Sequence, residues 1–441
     1  MIHATSCLSP RGAPAPPARL FLPPARASRA AHDLAPLSRF RSRLTSATLR
    51  TRLLRPILRA RSGDGEYLAA TLSTHVVKVY RRGEGGALGA LLELTGHGGA
   101  VTDVTFPLPH EPWGVLSSSA DGTTRLWDCR APESAREVAR YAAPFAKEHA
   151  TSTLGGGVDH LVAVGAEEKV IFFDRRAGDG IEIFEDAHSE DVTRLRFQPG
   201  RRNRLFTASV DSLVCAFDCS GNPSDISDEE GLLTVMTADA AVVDIGFCAK
   251  TAGREGGPEA ADALWALTGN EDAWFFDAGA DQNTLGDLLA HVRDTRGAAQ
   301  RAAEGVPSAE SLFRKTDYLV RCVSDQRAGP CVVAGTQEGA LGVFPVTRGV
   351  GESAETATLN APIATMTGGH TDIVRAFEPG AFPVTGAEDS RVCAWGAGAG
   401  AGDAAEGAEY ERQGGKAERT GGDHREQTGG RHREHGRHSP Y

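Results

Sequence analysis

Three histidine–aspartate pairs are the residues of this 441-residue chain whose types and spacing invite a chemical reading. His97 precedes Asp121 by 24 residues, His188 precedes Asp211 by 23, and His370 precedes Asp389 by 19. An aromatic side chain (Trp127, Phe217 or Trp395) follows each aspartate by six positions. A carboxylate that orients an imidazole is half of a general-base system, and both groups are metal ligands. Neither chemistry needs the pair three times at a fixed offset from an aromatic, whereas a repeated fold does. The pairs are therefore assigned a structural role, with no catalytic residue, metal or cofactor expected. G-x-S-x-G, H-E-x-x-H and G-x-x-x-x-G-K-[ST] are all absent. The eight cysteines (Cys7, Cys129, Cys215, Cys219, Cys248, Cys322, Cys331 and Cys393) form no C-x-x-C and read as buried free thiols of a reducing compartment. His424, His432, His435 and His438 are interleaved with arginines that repel a cation, so that tail reads as solvated.

The elements that must position these residues repeat as well. Seven β-rich runs end on Tyr80, Trp127, Phe173, Phe217, Phe276, Phe344 and Trp395, at spacings of 47, 46, 44, 59, 68 and 51 residues. A four-stranded propeller blade takes about 40–45 residues, and the excess is loop. Ala120-Asp121-Gly122 between two β-prone runs is a strong hairpin signal. The fold class expected is all-β, a seven-bladed propeller over residues 46–396. The fifth blade is the noisiest, with no well-placed turn acid. Within the 281–316 insertion, Leu285, Leu288, Leu289 and Val292 have the spacing of one helix face after the candidate caps Asn283 and Thr284, and the Ala/Glu-rich stretch 297–311 reads as helical or disordered. The seventh run has nothing after Trp395 to supply a fourth strand, so Thr48–Leu58 is expected to provide first-blade or closing strands.

Gly96-His97, Asp121 and Trp127-Asp128 together resemble the WD-repeat family, whose signature is a Gly-His pair followed by a Trp-Asp pair. That resemblance implies a hydrogen-bonded network within a blade: His97, Ser117 or Ser118, Asp121 and Trp127, with counterparts at His188 and Asp211 and at His370, Asp389 and Trp395. Blades ending on Phe lack the indole N–H and rely on packing. Residues 188–199, Asp317-Tyr-Leu-Val320, 368–377 and Thr385-Gly-Ala-Glu-Asp-Ser390 resemble the WD repeat-containing protein 89 family across about residues 60–396. The resemblance implies one propeller without established enzyme activity. Trp127-Asp-Cys-Arg130 also fits the W-D-x-R box of propellers that serve as substrate receptors of cullin-RING ubiquitin ligases, with a weaker copy at Phe173-Asp-Arg-Arg176. Arg130 and Arg176 are thus candidate partner-binding residues.

Charge is unevenly distributed. Residues 1–62 carry twelve arginines against Asp33 alone, about +11, residues 397–441 carry seven basic and eight acidic residues, about −1, and the total is −11, which leaves about −21 on the middle of the chain. An acidic ring favours basic protein segments and repels phosphate backbones. No aromatics are interleaved with Arg52, Arg55, Arg59 and Arg61, which argues further against direct nucleic-acid binding. No apolar run is long enough to span a membrane. Residues 1–45 read as an organelle transit peptide, a disordered basic arm or a leader absent from the mature protein. Residues 397–441, rich in Gly, His, Arg and Glu, read as a disordered tail. The expected function is a non-enzymatic protein–protein interaction scaffold, cytoplasmic or nuclear, with a ubiquitin-ligase substrate receptor as the alternative. It would take no small-molecule substrate, and the 281–316 insertion and the acidic loop Asp225–Glu230 would be the first surfaces to face partners.

Overall fold

Short β-prone runs separated by tight turns every six to nine residues fold locally into antiparallel meanders. In the computed structural model the described residues are 40–41, 57–61 and 65–397, apart from 84–85, 134–135, 144–145, 158, 179, 222–225, 253–260, 349–355 and 381. A first strand, β1 (Phe40–Arg41), stands apart from the meanders. Blade 1 comprises β2 (Ile57–Arg61), β3 (Tyr67–Thr71), β4 (Val77–Arg82) and β5 (Leu88–Leu94), and blade 2 comprises β6 (Val101–Thr105), β7 (Gly114–Ser119), β8 (Thr123–Asp128) and β9 (Glu137–Ala142). Blade 3 holds β10 (Thr151–Gly155), β11 (Leu161–Ala166), β12 (Lys169–Asp174) and β13 (Gly180–Phe184). Blade 4 holds β14 (Val192–Gln198), β15 (Arg201–Ser209), β16 (Leu213–Asp218) and, after the short helix α1 (Asp228–Gly231), β17 (Leu232–Thr237). Blade 5 holds β18 (Val242–Cys248), β19 (Ala263–Thr268), β20 (Ala273–Asp277) and β21 (Leu288–Val292), followed by α2 (Thr295–Ala303). Blade 6 holds β22 (Tyr318–Asp325), β23 (Gly329–Gly335), β24 (Leu341–Arg348), the short β25 (Ala357–Leu359) and β26 (Ala364–Thr367). Blade 7 holds β27 (Val374–Glu378), β28 (Val384–Ala387) and β29 (Val392–Ala394), and β30 (Gly396–Ala397) follows.

Burial explains why these sheets stack. The second strands β7, β11 and β19 are buried along their whole length, on both faces. The outer strands β5 and β9 are largely exposed and carry charged residues. Only a ring, in which each sheet is covered by a neighbour on either side, gives that gradient. All seven aromatics that end the third strands are buried, from Tyr80 at 5% exposure to Phe344 and Trp395 at 0%. In blades 1 to 5 the pairing to the outer strand shifts register immediately before this aromatic, at Val79/Tyr80, Leu126/Trp127, Phe172/Phe173, Ala216/Phe217 and Phe275/Phe276. A bulge there adds twist and turns the sheet into a wedge.

The ring closes where Leu68, Ala70 and Tyr80 of blade 1 pack on Ala376 and Val384 of blade 7. Arg82 donates to the carbonyl of Phe382 across the same seam, at 3.0 Å.

Several expectations are corrected. Leu288–Val292 is the outer strand of blade 5, paired with β20 from Ala273↔Val292 to Phe276↔Leu288, and not a helix. Its apolar residues satisfy strand alternation as well as helical spacing, and pairing decides. The helix starts later: Asp294, not Asn283 or Thr284, is the N-cap of α2 and accepts from the N–H of Gly297. Of the stretch 297–311, read as helical or disordered, residues 297–303 are helical, and the insertion buries Ala298, Ala299, Ala303, Ala309 and Phe313 between blades 5 and 6. Phe40–Arg41, inside the segment read as a transit peptide, a disordered basic arm or a leader, pairs with β26 and β30. Ile57 and Leu58 lie in the first strand of blade 1, whereas residues 48–56 fall outside the described residues. Among the described residues blade 7 has three strands, and β1 adds to blade 6 instead. The rest of residues 1–45 and the tail beyond Ala397 also fall outside the described residues.

Candidate functional site

In blade 2 the Gly-His corner precedes β6 and the Asp-Gly turn joins β7 to β8, so folding brings both against the end of β8. His97 Nδ1 lies 3.1 Å from Asp121 Oδ2 and His97 Nε2 lies 2.8 Å from Ser117 Oγ, which accepts from Trp127 Nε1 at 2.8 Å. The bonds fix the tautomer: Nδ1–H donates to the carboxylate, and Nε2 accepts the Ser117 hydroxyl proton. The hydroxyl is thus that of Ser117. Ser118, on the opposite face of β7, bonds Ser152 of blade 3 at 2.6 Å. Strand alternation separates the two.

Blade 7 builds the same unit, with His370 Nδ1 3.2 Å from Asp389, His370 Nε2 2.7 Å from Thr385 Oγ1, and Trp395 Nε1 donating to Thr385 Oγ1 at 2.7 Å. In blade 4 His188 bonds Asp211 at 3.0 Å and Thr207 at 2.8 Å, and Phe217 contributes packing alone. Burial raises the affinity of Asp211 for its proton. The backbone N–H groups of Leu213 and Ser189 together with His188 outweigh it and hold the carboxyl below the ordinary range. Asp121 is held well below that range by the same balance, burial opposed by Thr123, the Gly98 N–H and His97. Desolvation lowers the pKa of His97 and of His188. Every ring nitrogen of these three histidines is engaged, which leaves no lone pair for a substrate proton or a metal. Among the described residues no group of His, Cys, Asp and Glu is arranged to hold a metal ion, and no helix is long and apolar enough to cross a membrane.

Blade 5 corrects the expectation that its turn lacks an acid. Asp272 sits in the β19–β20 turn, 3.0 Å from His291 Nε2 and accepting from the Asp294 N–H at 2.8 Å. The histidine comes from the outer strand, not from before the first, and stacks on Trp274 with ring centroids 3.6 Å apart.

At the far end of the third strands, four consecutive blades share a turn. Asp128, Asp174, Asp218 and Asp277 each accept the backbone N–H two residues on, at 2.9, 2.7, 2.9 and 2.6 Å. In blades 2 and 3 the residue donating that N–H is Arg130 or Arg176, whose guanidinium returns to the same carboxylate in a fork. The pairing with Arg176 lowers the pKa of Asp174 to about 2. Arg130 also covers Trp113 at 3.8 Å. Both guanidinium groups remain open to solvent, 58% and 73% exposed.

The alternation of polar and apolar residues along the first strands concealed a further cluster. A register shift early in these strands turns Asp103, Arg194 and Asp244 toward the ring axis. Arg194 lies 2.8 Å from Asp244 and 3.4 Å from Asp103, while Arg196 and Thr151 donate to Asp103 at 2.9 and 2.7 Å. Blades 2, 3, 4 and 5 are thus joined across the axis. The signal was present as one charged residue at the same place in β6, β14 and β18, with alternating sign.

These blade networks decide the family, and sequence comparison gives the same answer. The WD domain, G-beta repeat family profile matches residues 89–128, the span that ends blade 1 and carries the blade 2 network. The WD repeat-containing protein GTS1 of Arabidopsis thaliana is 30% identical over 345 residues, covering 75% of this chain and 78% of that protein. The chain belongs to the WD-repeat family. It is also similar to the WD repeat-containing protein 89 homolog of Dictyostelium discoideum, 25% identical over 332 residues, covering 74% of this chain and 79% of that protein. WD-repeat propellers generally act as scaffolds for protein interaction and are typically non-catalytic. Here the repeat's own polar residues are consumed in holding blades together, so distinctive surface chemistry resides in the loops.

Proposed function

We propose that this WD-repeat protein is a non-enzymatic interaction scaffold that binds basic segments of partner proteins in the cytoplasm or nucleus. The observation that carries the reading is the convergence of acidic loops on blades 3 and 4. The β11–β12 turn meets the start of β14 through a hydrogen bond from the Val192 N–H to the Glu167 carbonyl at 2.6 Å. Around that junction Glu167, Glu185, Asp186, Glu190 and Asp191 are all exposed, with Lys169 paired to Glu185 at 3.0 Å. Complementary potential governs encounter and partner choice more than it governs raw affinity. The buried free thiols support a reducing compartment. Affinity capture of the full chain from cells should recover proteins whose binding falls with added salt. Reversing Glu185, Glu190 and Asp191 to Lys should release them. An unchanged set of captured proteins after charge reversal would remove the reading.

A second reading, substrate receptor of a cullin-RING ubiquitin ligase, is supported by one feature. Arg130 and Arg176 occupy the same turn in adjacent blades and both present an open guanidinium. Replacing both by Ala should abolish co-purification of the ligase adaptor. Adaptor retained by that variant, or never recovered with the wild type, ends this reading.

A further inference from the structure

Blade 6 departs from its neighbours at one residue. Where blades 2 to 5 follow the aromatic with an Asp that turns the chain, blade 6 has Phe344-Pro345 and its third strand runs on to Arg348. β24 is consequently divided between two partners. Leu341–Val343 pair with β26, and Val346–Arg348 pair with β25. The extension carries Val346 and Arg348, two positions apart and so on one face, to a cavity of about 240 Å³ between blades 5 and 6.

The cavity is walled by apolar side chains, chiefly Ala263, Phe275, Leu289, Ala290 and Pro330 in addition to Val346. The charged groups in its lining are two cations, Lys250 and Arg348. Lys250 bridges to Asp277, which also accepts the Gly279 N–H. No carboxylate among the described residues forms an ion pair with Arg348, which is exposed.

The geometry points to a binding site for a small apolar group that carries a carboxylate, its hydrocarbon in the cavity and its anion on Arg348. The chemistry is that of a branched aliphatic acid or of the last residue of a chain ending in an apolar amino acid. A guanidinium holds a carboxylate in a bidentate fork that an amide cannot match. This site is separate from the acidic loops of blades 3 and 4, and its failure leaves the scaffold reading intact.

The test is ligand-observed NMR on the full chain with 4-methylpentanoate and 4-methylpentanamide, and with a tetrapeptide ending in leucine as free acid or amide. The acids should bind saturably and the amides about tenfold more weakly. Arg348→Glu should abolish acid binding and Arg348→Lys retain part of it, both with unchanged circular dichroism. Tighter binding of the peptide acid assigns the site to chain termini, and binding of 4-methylpentanoate alone assigns it to free acids. Equal binding of acid and amide, indifference to Arg348→Glu, or no saturable binding of either acid overturns the proposal.

Discussion

Ser117 serves two groups that have no alternative. Its oxygen takes the indole proton of Trp127 while its own proton goes to His97. Ser117→Ala orphans both in a site without solvent and should cost about 3 kcal/mol, whereas Thr207→Val in blade 4, where no indole is present, orphans one and should cost about half as much. Urea denaturation of the two variants checks this order, and equal losses would contradict it. His149 makes a separate prediction. It is fully buried against Thr124, and desolvation lowers its pKa to about 4. The unfolded value is about 6.5, so below that pH the unfolded chain binds a proton that the folded chain refuses. The contribution to stability is complete above about pH 6.5 and is lost as pH falls toward the folded value. The carboxyls Asp211 and Asp389, held below their ordinary range, add losses at still lower pH as each is protonated. His149→Gln, neutral throughout, should remove about 3 kcal/mol of the stability difference between pH 7 and pH 4. Parallel pH profiles for variant and wild type would refute it.

At the scale of elements, α2 depends on one residue held in an unusual conformation. Asp294 has φ 45°, in the left-handed region, while its carboxylate caps the Gly297 N–H. Asp294→Ala removes the cap and keeps the strain, so a loss of about 1–2 kcal/mol is expected, with faster amide exchange confined to Thr295–Ala303. Exchange spread over every blade would show instead that the helix is part of the global unfolding unit. This segment also marks where the sequence stopped being legible. Leu285, Leu288, Leu289 and Val292 satisfy a helix face and an outer strand equally, and the choice depends on β20, a partner that periodicity does not register. The seven aromatics were legible because a large ring recurring once per blade has nowhere to be except buried. The His–Asp pairs were legible for the same reason. Asp103, Arg194 and Asp244 were not, because a charge alternating with apolar residues on a strand reads as solvent-facing until the ring puts its axis on that side.

At the scale of the whole molecule, the axis network ties non-adjacent blades, as does the bond from Arg202 of blade 4 to the Pro107 carbonyl of blade 2 at 3.0 Å. Stacked blades touch only their neighbours, so a propeller held by packing alone could loosen at any one seam. Asp103 changes that, since it is fully buried in blade 2 and bonded to Arg194 and Arg196 of blade 4 and to Thr151 between them. Replacing the whole network by apolar residues could be neutral, but removing one partner leaves buried charge uncompensated. Asp103→Leu leaves Arg196 without its carboxylate and Arg194 with Asp244 alone, and should cost about 3 kcal/mol, and Arg194→Met, after which Arg196 remains on Asp103, should cost less. The double variant should be less destabilised than the sum, because each substitution removes the other's orphan. A double-mutant cycle by urea denaturation decides the matter. Additive losses would mean that the two residues act separately and that their pairing does not couple blades 2 and 4.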